Sequence, residues 1–86
     1  MITIELFGVP RLRAGRDEVV VEAASLGEAL VALGAACPSL SPSVVTDGRL
    51  SPYYLVARNG LQLTADPAVQ LDPGDVLVLI CAEAGG

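Results

Sequence analysis

The residues best placed to do chemistry stand last in the chain. Gly85-Gly86 presents a terminal carboxylate on two successive residues without a Cβ. An α-carboxyl ordinarily titrates at roughly 3.3–3.7, so it is an ionised nucleophile at pH 7. Two glycines let the backbone enter a narrow channel in whatever φ/ψ the channel requires. Ordering such a tail costs roughly 1–2 kcal/mol for each residue fixed. The rest of the chain must then offer binding surface that offsets this cost.

Other reactive side chains are few. Cys37 and Cys81 are the two cysteines and there is no histidine. They lie too far apart in sequence for a metal-type spacing, so no metal site is expected. Two free thiols suit a reducing cytoplasm, where cysteine serves as a small hydrophobe. Cys81 precedes the terminus by five residues, which raises acyl transfer as a role; a small apolar strand residue is the preferred reading. Cys37, beside Pro38, is expected to pack at a helix end. Asp72 and Asp75 resemble a carboxylate pair, but turn chemistry explains both through bonds to nearby backbone N–H groups. The five cations are Arg11, Arg13, Arg16, Arg49 and Arg58; with no lysine, no side-chain amine can take an isopeptide bond. For the arginines of Arg11 to Arg16, partner contact is one reading and a solvated loop the preferred one.

Composition narrows the classes further. Eighty-six residues suffice for one core, and 52% hydrophobic against 3% aromatic residues makes that core aliphatic. A formal net charge of −5 disfavours nucleic acid and favours a basic patch on another protein. The N-terminus lacks the pattern of a signal peptide. The longest apolar run, Val76 to Ala82, has seven residues, too few to span a bilayer. A cytoplasmic protein without a membrane partner is expected.

The positioning elements follow from periodicity. Ile2, Ile4 and Leu6 alternate with Thr3 and Glu5, a strand with one buried face. Gly8-Val9-Pro10 breaks it, and Arg11 to Arg16 reads as a polar connection. Glu18 to Glu22 is a second strand, antiparallel to the first. Ser25-Leu26-Gly27-Glu28 is a capping box that opens a helix. Leu26, Ala29, Leu30 and Leu33 share one helical face, and Pro38 ends the helix by Cys37. Pro38 to Pro52 reads as a loop or irregular turn. Tyr53 to Arg58 is strand-like, Asn59-Gly60 a tight turn, and Leu61 to Thr64 a short return strand. Asp72-Pro73-Gly74-Asp75 is a second turn, and Val76 to Cys81 a central strand covered on both faces. With the helix crossing one face of the sheet, the first and last strands can lie side by side and parallel. The fold class is α+β, a β-grasp arrangement with a mixed sheet and one main helix on one face. Residues 1–82 make the domain and 83–86 a tail.

Three segments carry a family resemblance over nearly the whole length. They are Ile2-Thr3-Ile4-Glu5-Leu6-Phe7-Gly8, Leu71-Asp72-Pro73-Gly74-Asp75-Val76, and the terminal Gly85-Gly86. Together, in this order, they resemble the ubiquitin-like sulfur carriers of the MoaD/ThiS type. The resemblance implies a protein co-substrate rather than an enzyme, or the small subunit of a complex such as molybdopterin synthase. It implies that an E1-like adenylyltransferase of the MoeB/ThiF type uses ATP and Mg²⁺ to activate the Gly86 carboxylate as an acyl-adenylate. Sulfur then displaces AMP, giving a thiocarboxylate that a sulfur-accepting synthase subunit consumes. No cofactor is bound by the carrier itself. The chain departs from many relatives at Cys81, where they carry proline. Nothing in it separates the molybdopterin branch from the thiamine branch or from other sulfur pathways.

The docking surface is expected on the sheet face away from the helix. If Leu77 and Leu79 point inward, Val78 and Ile80 point outward. Phe7 follows the outward set of Thr3 and Glu5. Phe7, Val78 and Ile80 then make an apolar partner-binding patch. Two rivals to the sulfur carrier stand beside it: a protein modifier attached through Gly86, and a β-grasp interaction module with an incidental Gly-Gly end.

Overall fold

A computed structural model describes residues 1–82; the expected tail, 83–86, with Gly85 and Gly86, lies outside the described residues. The elements are β1 (Ile2–Glu5), α1 (Gly8–Ala14), β2 (Glu18–Val21), α2 (Leu26–Ala36), a 3-10 turn (Pro38–Leu40), β3 (Val45–Thr46), β4 (Arg49–Leu50), β5 (Tyr54–Arg58), β6 (Gln62–Thr64) and β7 (Val76–Cys81). Five strands form one mixed sheet in the order β2-β1-β7-β5-β6. β1 and β7 are parallel, in the register Thr3↔Val76, Ile4↔Leu77 and Glu5↔Val78. The other pairs in this sheet are antiparallel.

The core lies between this sheet and α2. Ile2, Ile4, Val19, Val56, Leu77 and Leu79 from the strands meet Leu26, Ala29, Leu30 and Leu33 from the helix. The capping box forms: Glu28 N–H donates to Ser25 Oγ at 3.2 Å. The Glu28 carboxylate reaches back to the N–H of Ala24 at 3.0 Å, one residue before the cap. The next two helix N–H groups find carbonyls in the 66–70 loop, Leu26 on Val69 and Gly27 on Pro67, each at 2.9 Å. The open donors of a helix start are thus satisfied.

Two segments depart from expectation. Arg11 to Arg16 is not a polar connection, because α1 spans Gly8–Ala14. The supposed breakers stand at the ends of the helix. Pro10 falls in the first turn, where its missing N–H has no helical acceptor to lose. Gly15 closes the helix in the left-handed region (φ 72°), its N–H donating to Arg11 O at 2.9 Å. The stretch from Pro38 to Pro52 holds the 3-10 turn and a small β3–β4 hairpin. That hairpin turns on Asp47 and Gly48, both at positive φ (52° and 75°), as a two-residue turn between twisted strands requires. Leu40, Val44 and Val45 from this stretch are buried and complete the core. Among the described residues no helix is long and apolar enough to cross a membrane.

Candidate functional site

The end of β7 is held along its β5 side, past the point where its pairing with β1 stops at Val78. Tyr54 pairs with Cys81 and Leu55 with Ile80 on β5. Beyond the strand, Ala82 N–H donates to Tyr53 O at 2.6 Å. Tyr53 is itself set by a turn, its N–H donating to Ser51 Oγ at 3.3 Å while Tyr54 N–H reaches Ser51 O at 3.0 Å. The last described residue therefore leaves the body from a fixed point.

The sheet face opposite α2 carries an apolar strip. Leu77 and Leu79 are buried, and the alternate residues Val78 and Ile80 are half-buried on the other face. Direct pairing places Glu18, Glu5, Val78, Ala57 and Leu63 in one row across the five strands. Ile80 and Leu55 make the next row. Leu63 is 66% exposed. Ala57, Leu55 and Leu63 extend the patch beyond the residues expected from sequence. The two-residue period of a strand places Leu55 and Ala57 together on the face opposite Val56, whereas Leu63 depends on the hairpin register.

Phe7 stands just past β1 as the residue before α1 and is 54% exposed. It lines a groove with Gly8, Val9 and Pro10 on one side and Tyr54, Ile80 and Cys81 on the other. The structure therefore brings Phe7 and Ile80 together, with Val78 two residues back along β7. Cys81 is exposed at the rim of this groove, while Cys37 is buried at the end of α2.

Charge is distributed unevenly around the strip. Glu5 and Glu18 face each other directly across β1 and β2, a like-charge pairing that disfavours the isolated sheet and suits a cationic partner. The opposite end of β7 is fixed by a polar clamp. Asp75 accepts from Arg58 Nε at 2.8 Å, from Asn59 Nδ2 at 2.8 Å and from the Asp72 N–H at 2.9 Å. Asp72 also accepts from Arg58 Nη2 at 3.1 Å. The Asn59 side chain first, then the Asp72 N–H and Arg58, hold the Asp75 carboxyl below its ordinary 3.8 against the opposing effect of burial. Asp75 thus accepts from a nearby backbone N–H as expected, whereas the Asp72 carboxylate bonds the Arg58 side chain instead; together they tie the β5–β6 turn to the start of β7.

Neither a protein-family profile nor a curated protein sequence matches the chain. Solved structures do. SAMP1 from Haloferax volcanii is 32% identical over 99% of this chain and 98% of its own, with a TM-score of 0.80. A chain of the Amycolatopsis orientalis BexX/CysO complex is 19% identical with full coverage of both chains and a TM-score of 0.81. The Pyrococcus furiosus putative molybdopterin converting factor, subunit 1, is 20% identical over 93% of this chain and 94% of its own, with a TM-score of 0.72. The latter two show the shared fold. With the SAMP1 match, the chain belongs to the ubiquitin-like β-grasp family of sulfur-carrier, MoaD-type proteins.

Proposed function

We propose that the chain is a sulfur carrier whose Gly86 carboxylate is adenylylated by an E1-like enzyme of the MoeB/ThiF type and then converted to a thiocarboxylate. The observation that carries this reading is the end-to-end 32% identity with SAMP1 on a β-grasp body. In the first step a Gly86 carboxylate oxygen attacks the α-phosphorus of ATP and pyrophosphate leaves. In the second a sulfur nucleophile attacks the acyl carbon and AMP leaves. The chain supplies the nucleophile, the tail and the docking surface, and the enzyme supplies ATP and Mg²⁺.

The apolar strip of Val78, Ile80, Ala57 and Leu55, with Phe7 at its end, is the proposed docking face. Burying it on the enzyme offsets the entropy lost in ordering the tail. Glu5 and Glu18 at its edge favour a partner with a basic rim. Molybdopterin synthesis is the first candidate for the sulfur acceptor, with thiamine next. The Pyrococcus likeness supports the first only through the fold.

A second reading, a protein modifier joined to target lysines through Gly86, draws on the name of the Haloferax relative, small archaeal modifier protein 1. Both readings begin with the same activation. ATP–pyrophosphate exchange with the cognate adenylyltransferase tests that step. Wild type should support it, and a chain lacking Gly86 or extended by one residue should not.

A further inference from the structure

α1 lies at the same end of the molecule as the exit of β7. β1 and β7 run parallel, so the helix that follows β1 and the chain that follows β7 leave the sheet at one edge. The groove shared by Gly8, Val9 and Pro10 with Ile80 and Cys81 shows how close they lie.

The composition of this helix is unlike the rest of the chain. Residues 8–16 hold three of the five cations, Arg11, Arg13 and Arg16, and none of the ten acids. Pro10 is buried and Ala14 packs against the core; four residues apart, they form the inward face. Leu12, midway between them, points directly outward and is 81% exposed. Arg11 and Arg13 flank it at about 100° on either side. Among the described residues neither arginine forms an ion pair. Two cations in the last turn suit the negative end of a helix, but this does not account for the leucine between them. Val9, on the same outward side, is also exposed. Glu5, Asp17 and Glu18 border Arg11, so a continuous phosphate backbone fits poorly, whereas a protein surface with separate acidic and basic segments fits both.

We propose that the ridge Arg11-Leu12-Arg13 is a second contact surface, for an acidic rim around an apolar dimple at the mouth of the enzyme that receives the tail. This rests on the carrier reading above. Glu5 and Glu18 on the sheet face and the arginines on α1 then present opposite charges to one partner, which fixes the orientation in which the tail enters.

The test is binding of wild type, Arg11→Glu/Arg13→Glu, Arg11→Lys/Arg13→Lys, Leu12→Ala and Ile80→Asp to the cognate E1-like adenylyltransferase, at about 50 mM and about 300 mM salt. Thermal melts check that each variant is folded. The charge reversal should weaken binding at low salt by about tenfold or more and flatten its salt dependence. The lysine pair should keep most of the affinity, and Leu12→Ala should lose severalfold at both salt levels. Wild-type affinity and salt slope in the charge-reversed protein, with Ile80→Asp inactive, would overturn the ridge and leave the carrier reading standing. Absence of binding by wild type itself would overturn both.

Discussion

Arg58 donates from Nε to Asp75 Oδ2 at 2.8 Å, joining the last residue of β5 to the residue before β7. Both side chains are largely shielded from water. The folded state holds the Asp75 carboxyl below its ordinary 3.8, so the stability it contributes is present above that value. It is lost as pH falls through the lower folded value. Asp75→Asn should therefore melt well below wild type at pH 7, with the gap narrowing as pH falls below 3.8. Melting curves against pH test this, and parallel curves for the two proteins would contradict it.

Leu30 is 1% exposed, within the stripe that α2 lays on the sheet. Leu30→Ala should cost roughly 2–5 kcal/mol in urea unfolding. For a domain stable by about 5–15 kcal/mol, that is a large share. A loss below about 1 kcal/mol would show that the helix does not pack in this phase.

Neighbouring positions on β7 should respond in opposite ways. Leu79 is buried in the core and Ile80 is half-buried on the outer face. Leu79→Asp should abolish cooperative melting, because an unpaired carboxylate cannot be buried cheaply. Ile80→Asp should keep a cooperative melt and lose binding to the adenylyltransferase. If Ile80→Asp also unfolds the chain, its side chain belongs to the core and the docking face lies elsewhere.

Gly48 turns the β3–β4 hairpin at φ 75°, and a Cβ there would stand 3.0 Å from both Gly27 O and Val31 Cγ2. Gly48→Ala should lower stability by at least about 1 kcal/mol through the left-handed backbone alone. Equal urea midpoints for the two proteins would contradict the close approach of hairpin and helix.

Much of this architecture is legible in the residues. Alternation in Ile2–Glu5, the four-residue stripe of Leu26, Ala29, Leu30 and Leu33, and the apolar run of Val76–Cys81 define the sheet, its helix and the parallel central pair. α1 is not legible, because Gly8-Val9-Pro10 reads as a break and Arg11 to Arg16 as a polar connection until the places of Gly8, Pro10 and Gly15 at the helix ends are known. The burial of Leu40, Val44 and Val45 is set by tertiary packing within a stretch rich in proline and serine. The Asp75 clamp joins partners 16 and 17 residues apart, a distance over which local pattern carries no information. At the candidate site, the inward and outward alternation of β7 is legible. The groove between Phe7 and Ile80 arises only when α1 folds beside the strand end.

The central claim is that Gly86 carries sulfur. Deleting Gly86 should leave the melt unchanged, because the core lies within residues 2–79. It should also stop activation, since one residue of extended chain is about 3.3–3.6 Å and a displacement near 1 Å already costs about a hundredfold in a positioned reaction. The most direct measurement is the intact mass of the protein purified from its native host. The carrier account predicts a population heavier by the exchange of one oxygen for one sulfur, located at Gly86 by fragmentation and absent from the deletion variant. A single unmodified mass under conditions of active sulfur transfer, with the cognate adenylyltransferase present, would contradict it.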